Sequence, residues 1–224
     1  MLLADDLALD APDGRPLFAG LHLSLEPGAN LLVLGPGGCG KSQLLRALAG
    51  ILRPRGGRVS LGGVGIWPGD GVLALAGRVR LGFVFAQGGL LSNQTLRDNV
   101  TLPLRFGGVS AGEAAARADR ALARFGLEAV AGLRPHAVSA GDRKLASFAR
   151  VAALEPDLVL LDEPLEGVES GDRPAVMAQI QAWAADPARS LLLALEEPGP
   201  FAGLPARRLH LALGGLSPSA PEQP

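Results

Sequence analysis

GPGGCGKS, at residues 35–42, is the most informative segment of this 224-residue sequence. The run before it, NLLVL at 30–34, is typical of a buried strand, and the leucines of residues 42–49 recur with the spacing of one helical face. The segment fits the pattern G-x-x-x-x-G-K-[ST] in the strand-to-helix context that this pattern requires. A phosphate-binding loop inside an α/β fold is therefore predicted.

The residues of this loop have distinct predicted roles. Backbone amides of its glycines can form an anion site at a helix N-terminus, where the macrodipole favours phosphate oxygens. Lys41 can reach the terminal phosphates, the Ser42 hydroxyl can ligate magnesium, and Cys39 is a small filler, because phosphoryl transfer needs no covalent step. The predicted nucleotide-binding residues of this region are Gly35, Pro36, Gly37, Gly38, Cys39, Gly40, Lys41, Ser42 and Gln43.

Two carboxylates, Asp162 and Glu163, follow a second buried run, LVLL at 158–161. Open α/β sheets bind their ligands at the carboxyl ends of strands, which is where this pair lies. Asp162 is suited to hold magnesium through water, and Glu163 to polarise the water that attacks a γ-phosphate. Alone, the pair is equally typical of a solvated strand end, but together with the loop it indicates ATP hydrolysis.

Composition restricts the possible partners and compartment. The 21 Lys and Arg residues against 22 Asp and Glu give a net charge of -1, so we expect no nucleic-acid partner. A single cysteine rules out a disulfide framework and fits a reducing compartment. Because no stretch reaches the roughly 20 uncharged apolar residues of a membrane span, and the start lacks a basic region before an apolar run, we expect a cytoplasmic protein.

The rest of the chain alternates strand and helix patterns. Strands are predicted at 2–9, 21–25, 30–34, 81–85, 158–161 and 190–195. Helices are predicted after 42, from 111 to 126, from 140 and from 173; those at 111 and 140 follow a serine with a carboxylate three residues later. We predict a mostly parallel core sheet, an N-terminal antiparallel β subdomain and a helical insert at about 88–156. One domain is expected over 1–216, with a frayed Pro/Ser-rich tail at 217–224.

The order of these motifs resembles that of the ATPase subunits of ABC transporters, over residues 2–213. FVFAQ at 83–87 looks like the family's Q-loop, and VSAGD at 138–142 looks like its signature motif, normally LSGGQ. The resemblance implies that Gln87 contacts magnesium or the attacking water. It also implies head-to-tail pairing of two subunits, with Ser139 and Gly141 approaching the γ-phosphate held by the other subunit.

Within the family, the segment FAQGGLLSNQTLRDNVTLPLR at 85–105 is most similar to ATPases of Mla/Mce-type phospholipid transport systems. The dipeptide at 143–144 and ALEPDL at 153–158 add to this likeness, although amino-acid and lipoprotein exporters carry similar N-V-x-x-P-L strings. The resemblance implies ATP and Mg²⁺ as cofactors. It implies as partners a second ABC ATPase subunit, identical or different, and integral membrane permease subunits, with the chain peripheral on the inner face of the cell membrane.

Four departures from the family pattern bear on activity. Glu196 stands at the position of the switch histidine, where an ionised carboxylate can only accept hydrogen bonds. Its repulsion of a phosphate charge at about 4 Å would be about 4 kcal/mol at an effective dielectric constant near 20, and the missing donor would cost about a hundredfold in turnover. Ala140 and Asp142 alter the signature motif, and Glu169 replaces the D-loop aspartate. Finally, no tyrosine exists to stack on adenine, and core packing is expected for the nearest aromatic, Phe18.

Three hypotheses follow. In the first, the chain is an active transport ATPase with Glu163, Gln87 and Glu196 around the reacting phosphate and with Ser42, Gln87 and Asp162 as magnesium ligands. In the second, it is a hydrolysis-impaired regulatory nucleotide-binding subunit. The third is a non-transport ABC ATPase in DNA repair or translation, which the near-neutral charge and the lack of a coiled-coil or zinc insert disfavour.

Overall fold

A computed structural model describes residues 1–75 and 78–218 of the chain. Its strands are β1 (Leu2–Asp10), β2 (Pro16–Leu25), β3 (Asn30–Leu34), β4 (Gly56–Leu61), β5 (Val64–Trp67), β6 (Leu81–Val84), β7 (Leu158–Asp162), β8 (Ser190–Leu195), β9 (Arg207–Ala212) and β10 (Gly215–Pro218). Its α-helices are α1 (Lys41–Leu48), α2 (Leu96–Phe106), α3 (Ala111–Arg124), α4 (Ala140–Leu154) and α5 (Arg173–Ala184). Short 3₁₀ turns occupy Gly71–Leu75, Glu128–Val130, Pro135–Ala137 and Gly199–Phe201. No helix in the described part of the chain is long and apolar enough to cross a bilayer.

The strands form two sheets. One is antiparallel, in the order β2-β1-β4-β5, and the other has the order β10-β9-β3-β8-β7-β6. In the second sheet β9, β3, β8, β7 and β6 pair in parallel, and only β10 runs antiparallel to its neighbour. This architecture confirms the predicted α/β class with a mostly parallel core and an N-terminal antiparallel sheet.

Three strands at the centre of the parallel sheet, β3, β7 and β8, are buried at every position. Their continuous apolar runs fit strands that are covered on both faces. Parallel strands end at the same edge of a sheet, so the segments that follow β3, β6, β7 and β8 meet there. All the candidate site residues that follow strands therefore converge on one edge.

Two hydrophobic cores flank this sheet. Helices α2 to α5 cover one face, where Phe148 on α4 stacks on Trp183 of α5 with ring centroids 6.1 Å apart. Helix α1 lies between the other face and the antiparallel sheet, and its leucines pack against residues of both sheets. The helix that follows the glycine-rich loop is thus held from two sides.

The helical insert differs in detail from its prediction. Helix α4 begins as expected, because the Ser139 hydroxyl and the Asp142 carboxylate each accept a hydrogen bond from the other residue's backbone amide. At the start of α3 only half of that arrangement is present: Ser110 accepts from the amide of Glu113, whose carboxylate instead accepts from Arg117 at 2.7 Å. Helix α2 was not predicted.

Strands β4, β5, β9 and β10 were also missed. Strand β10 extends to Pro218, so the predicted boundary of a frayed tail at 217 falls inside a paired strand, since Ser217 pairs with His210 of β9. The remainder of that tail, 219–224, lies outside the described residues.

Candidate functional site

The glycine-rich loop is fixed by close backbone contacts. The Gly35 amide donates to the carbonyl oxygen of Leu195 at the end of β8, with a distance of 3.1 Å. A Cβ at Gly35 would lie 2.2 Å from the carbonyl oxygen of Leu211, so no larger residue fits there. Gly40, directly before α1, has φ +106°, a conformation that glycine adopts readily. Cys39 is buried among apolar side chains, as expected of a filler.

Lys41 lies over this loop. Its side chain is buried, and its Nζ donates to the carbonyl oxygens of Gly35 at 2.7 Å and Pro36 at 3.2 Å. The same Nζ is 3.5 Å from Oε1 of Glu163. The ammonium group therefore lies between the loop and the predicted catalytic carboxylate, where it can bind a terminal phosphate.

The three predicted magnesium ligands lie together. The Ser42 hydroxyl donates to Oδ1 of Asp162 at 3.0 Å, and both residues line a cavity of about 480 Å³ with Gln87. Asp162 is 1% exposed, and among the described residues its Oδ2 has no hydrogen-bond partner. An unsatisfied buried carboxylate oxygen is costly, and hard oxygen ligands of this kind suit Mg²⁺. The residues present therefore fit this ion.

Glu163 combines an unusual backbone with a perturbed side chain. Its φ of +42° is rare for a residue with a Cβ and costs about 1–3 kcal/mol. Burial raises the pKa of its carboxyl group, the negative charge of Glu196 adds to the increase, and Lys41 opposes it. Its Oε1 is buried and lies 3.5 Å from Lys41 Nζ. Such a carboxylate is a better proton acceptor than an ordinary surface glutamate.

Glu196 lies against the loop. A Cβ at Gly37 would be 2.9 Å from Glu196 Oε1, although the glutamate itself is exposed. The predicted proximity of this carboxylate to the phosphate-binding region agrees with that geometry. Its role during turnover stays a prediction.

Ser139 and Gly141 lie at the start of α4. The Ser139 hydroxyl accepts from the amide of Asp142 at 2.9 Å, and the Asp142 carboxylate accepts from the amide of Ser139 at 3.1 Å. A Cβ at Gly141 would lie 3.7 Å from Oδ2 of Asp172 and 3.9 Å from the carbonyl oxygen of Gly167, so the start of α4 lies beside the segment that follows Glu163. The role of Ser139 and Gly141 toward a phosphate stays a prediction.

Comparison with known proteins decides the family. The family model described as ABC transporter matches residues 18–166, more than half of the chain. The chain belongs to the ABC transporter family. LolD, the lipoprotein-releasing system ATP-binding protein of Chromohalobacter salexigens, is 31% identical over 212 residues, covering 94% of this chain and 89% of LolD.

Other members of the family match a smaller share of their own length. An uncharacterised ABC transporter ATP-binding protein of Mycobacterium tuberculosis H37Rv is 40% identical over 168 residues, which are 73% of this chain and 51% of that protein. This chain thus matches about half the length of that relative.

The dimeric structure of MJ0796, a bacterial ABC transporter cassette, has a TM-score of 0.87 at 24% identity, and the match covers 97% of each chain. A second MJ0796 dimer, in a post-hydrolysis state bound to ADP and Pi, has a TM-score of 0.86 at 23% identity over 97% of this chain and 98% of that chain. These likenesses establish the ABC cassette fold.

The sequence contains no tyrosine to stack on adenine, and the cavity beside the loop is lined by other residues. A cavity of about 330 Å³ continues from the loop toward the β1–β2 turn, and its lining includes Arg15, Leu17 and Gln43. Within the described chain no aromatic side chain lines this cavity, and Phe18 is buried in the core as predicted. Arg15 was not predicted from the sequence, although it directly follows Pro-Asp-Gly at 12–14, a tripeptide typical of a turn.

Lys144 is a further site residue that was not predicted from the sequence, where it was used only for the family resemblance. Its side chain is 3% exposed, and its ammonium group donates to the backbone carbonyl oxygen of Glu163 at 3.0 Å. Burial lowers the pKa of Lys144 to about 8, while Glu166, Asp162 and Glu163 oppose that shift. A buried lysine next to the catalytic candidate is therefore part of the site.

Proposed function

We propose that the chain is the ATP-binding and ATP-hydrolysing subunit of an ABC transporter. The observation that carries this proposal is the convergence of Ser42, Asp162 and Gln87 on one cavity beside the ion pair of Lys41 with Glu163. Membership of the ABC transporter family supports the same activity.

In this function each residue has a defined task. The loop at 35–42 binds the phosphates of ATP at the start of α1, and Lys41 Nζ binds the terminal phosphate. Ser42, Asp162 and Gln87 would hold Mg²⁺, which neutralises charge on the phosphates when bound. The Glu163 carboxylate orients the attacking water and accepts its proton. The site would need no covalent intermediate, which agrees with the buried position of Cys39.

A second subunit would complete the site. The start of α4, with Ser139 and Gly141, is fixed by its capping hydrogen bonds. In a head-to-tail dimer this helix N-terminus would approach the γ-phosphate held by the partner, where its dipole favours negative charge. MJ0796, with the same fold, forms dimers. Permease subunits at the inner face of the cell membrane would receive the movement through the segment after Gln87.

The cargo that we propose is a phospholipid, moved by a system of the Mla/Mce type. This proposal rests on the resemblance of residues 85–105. Relatives are named for other cargoes: LolD for lipoprotein release, MetN of Cereibacter sphaeroides for methionine import, and FbpC of Rhizobium etli for Fe³⁺ import. The proposed phospholipid cargo is therefore tested by transport assays in which this chain is assembled with its permease subunits.

A second candidate function is supported by one observation. Glu196 Oε1 lies close to Gly37 in the phosphate-binding loop, where a carboxylate repels a terminal phosphate. A subunit with this arrangement would bind ATP and control assembly of the complex, but would hydrolyse ATP slowly. Asp142 adds an acidic residue near the start of α4.

Nucleotide-driven dimerisation of the purified chain tests the proposed function. The variant Glu163→Gln should bind Mg²⁺-ATP and form a dimer detectable by light scattering, because it retains the phosphate contacts while losing the proton acceptor. Adding Lys41→Ala to it should weaken ATP binding by about a hundredfold or more, since a charge-assisted contact to phosphate is lost. ATP affinity that is unchanged by Lys41→Ala would refute the proposed binding site.

A further inference from the structure

Lys144, in the second turn of α4, connects three parts of the site. Its Nζ donates to the carbonyl oxygens of Phe85 at 3.1 Å, Ala86 at 2.8 Å and Glu163 at 3.0 Å. An ammonium group has three N–H donors, and all three are used. Phe85 and Ala86 follow β6 and directly precede Gln87, whereas Glu163 follows β7. One side chain of α4 therefore bridges the ends of two neighbouring strands.

The hydrogen bond from Lys144 to the backbone carbonyl oxygen of Glu163 bears on the position of the predicted proton acceptor. Glu163 has φ +42°, so its backbone adopts a conformation that residues with a Cβ rarely adopt. Such a conformation persists only where surrounding contacts impose it. The hydrogen bond from Lys144 to the Glu163 carbonyl is one such contact. It acts on the peptide unit that follows the Cα of Glu163, the residue whose Oε1 lies 3.5 Å from Lys41 Nζ.

A charged residue at this buried position is expensive compared with an apolar one. Removing an ammonium from water costs several kcal/mol unless hydrogen bonds and opposite charges compensate, and packing alone can be achieved by a residue such as methionine. Here the compensation comes from three carbonyls and from the carboxylates of Asp162, Glu163 and Glu166. The position is therefore better suited to fixing backbone geometry than to filling space.

Arg150 on the same helix provides a comparison. It donates to the carbonyl oxygens of Gly88 at 3.1 Å and Gly89 at 2.8 Å, so α4 holds the backbone on both sides of Gln87. No hydrogen bond or ion pair in the described structure joins Arg150 to Glu163. Of Lys144 and Arg150, only Lys144 contacts Glu163, the predicted proton acceptor.

We propose that Lys144 is a positioning residue for hydrolysis: it joins the backbone before Gln87 to the backbone of Glu163, and so aligns the proton acceptor with the magnesium-binding side chains. The proposal rests on the proposed function, because it assigns Lys144 a role through Glu163. Lys144 contacts neither substrate nor metal in this role. Its loss should therefore slow the chemical step and leave nucleotide binding nearly intact.

The test compares steady-state hydrolysis by the complete chain carrying Lys144→Met with that of the native chain. We expect kcat to fall about thirtyfold, because a small misplacement of a catalytic group can cost up to about a hundredfold, and KM for ATP to change less than about threefold. Ile180→Ala, a core substitution on α5, is the control for lost stability. Lys144→Gln, which keeps two donors without charge, replaces Lys144→Met if the latter does not fold.

A double-mutant cycle with Glu163→Gln separates positioning from structural support. If Lys144 acts through Glu163, adding Lys144→Met to Glu163→Gln will not lower the residual single-turnover rate further. The proposal would be overturned if adding Lys144→Met to Glu163→Gln lowered the rate by the same factor as Lys144→Met lowers it in the native chain. It would also be overturned if Ile180→Ala, at the same melting temperature as Lys144→Met, showed an equal fall in kcat. If Glu163→Gln slows hydrolysis but Lys144→Met does not, only the role of Lys144 is wrong. If Glu163→Gln hydrolyses at the native rate, the proposed function itself is wrong.

Discussion

Replacing Glu196 with histidine is expected to accelerate ATP hydrolysis. The native carboxylate has its Oε1 2.9 Å from the position that a Cβ on Gly37 would occupy, so it lies beside the phosphate-binding loop. At about 4 Å, repulsion between two unit charges is about 1 kcal/mol in water and about 4 kcal/mol at an effective dielectric constant of about 20. Because Glu196 is exposed, solvent screening favours the lower part of this range, about 1–2 kcal/mol, or roughly fivefold to thirtyfold in rate.

Histidine would also add a hydrogen-bond donor to the site. Removing a single donor that stabilises developing charge typically lowers kcat by about a hundredfold or more. Adding such a donor should therefore raise kcat by a similar factor, beyond the effect of removing the repulsion. Because the two effects multiply, a total increase in kcat of about a hundredfold or more is expected for Glu196→His. Glu196→Gln, which removes the charge within nearly the same shape, should give a smaller increase.

Phosphate release at saturating Mg²⁺-ATP measures this effect directly. Glu197→Gln is the matched control, because it removes the charge of the adjacent exposed glutamate. Equal rates for the Glu196 and Glu197 variants would show that repulsion at the loop does not limit turnover. A fall in kcat for both Glu196→His and Glu196→Gln would instead indicate that the native carboxylate assists the reaction.

Three further predictions concern binding and stability. Ser42→Ala should raise the Mg²⁺ concentration needed for half-maximal hydrolysis about tenfold, because it removes a proposed ligand that bonds to Asp162; an unchanged Mg²⁺ titration would contradict this. Asp142→Ala should lower the melting temperature by about 2–4 °C, since a capping interaction contributes about 1 kcal/mol, and combining it with Ser139→Ala should cost less than the sum. ATP and GTP should compete with affinities within about fivefold, because stacking and packing against lining residues such as Arg15 and Leu17 do not distinguish one base from another; strong preference for ATP in a competition assay would argue against this.

Local sequence signals predicted the strand, loop and helix that form the candidate phosphate-binding region. The strand at 30–34, the glycine-rich loop and the helix that follows it are adjacent along the chain, and their patterns depend little on the rest of the fold. The pair Asp162 and Glu163 was equally visible, because it ends a run of apolar residues that is buried at every position. Parallel pairing then brings these segments to one edge of the sheet.

Other elements depended on features that the sequence obscured. Helix α2 has a capping pair, Thr95 with Asp98, but Pro103 within the helix weakens its helical pattern. Strand β9 carries arginine and histidine among its apolar residues, so it lacks the continuous apolar run of the central strands. In both cases tertiary packing determined a structure that local propensity did not favour.

Contacts between distant residues were beyond sequence reasoning. Lys144 lies 59 positions from Phe85 and 19 positions from Glu163, and its burial follows from how α4 packs against the ends of β6 and β7. From sequence alone, a lysine next to an arginine near a helix start is expected on a solvated face. The approach of Glu196 to Gly37 was predicted only through the family resemblance, and its distance came from the fold.

Release of inorganic phosphate from saturating Mg²⁺-ATP, compared between the native chain and Glu163→Gln, shows whether Glu163 is the proton acceptor of an ATPase. We expect steady turnover by the native chain and a loss of about a hundredfold or more in Glu163→Gln, with ATP affinity changed less than about threefold, because the phosphate contacts remain. Equal turnover by the two proteins would contradict the assignment of Glu163 as proton acceptor. A native chain that binds Mg²⁺-ATP without releasing phosphate would contradict hydrolysis and favour the regulatory function.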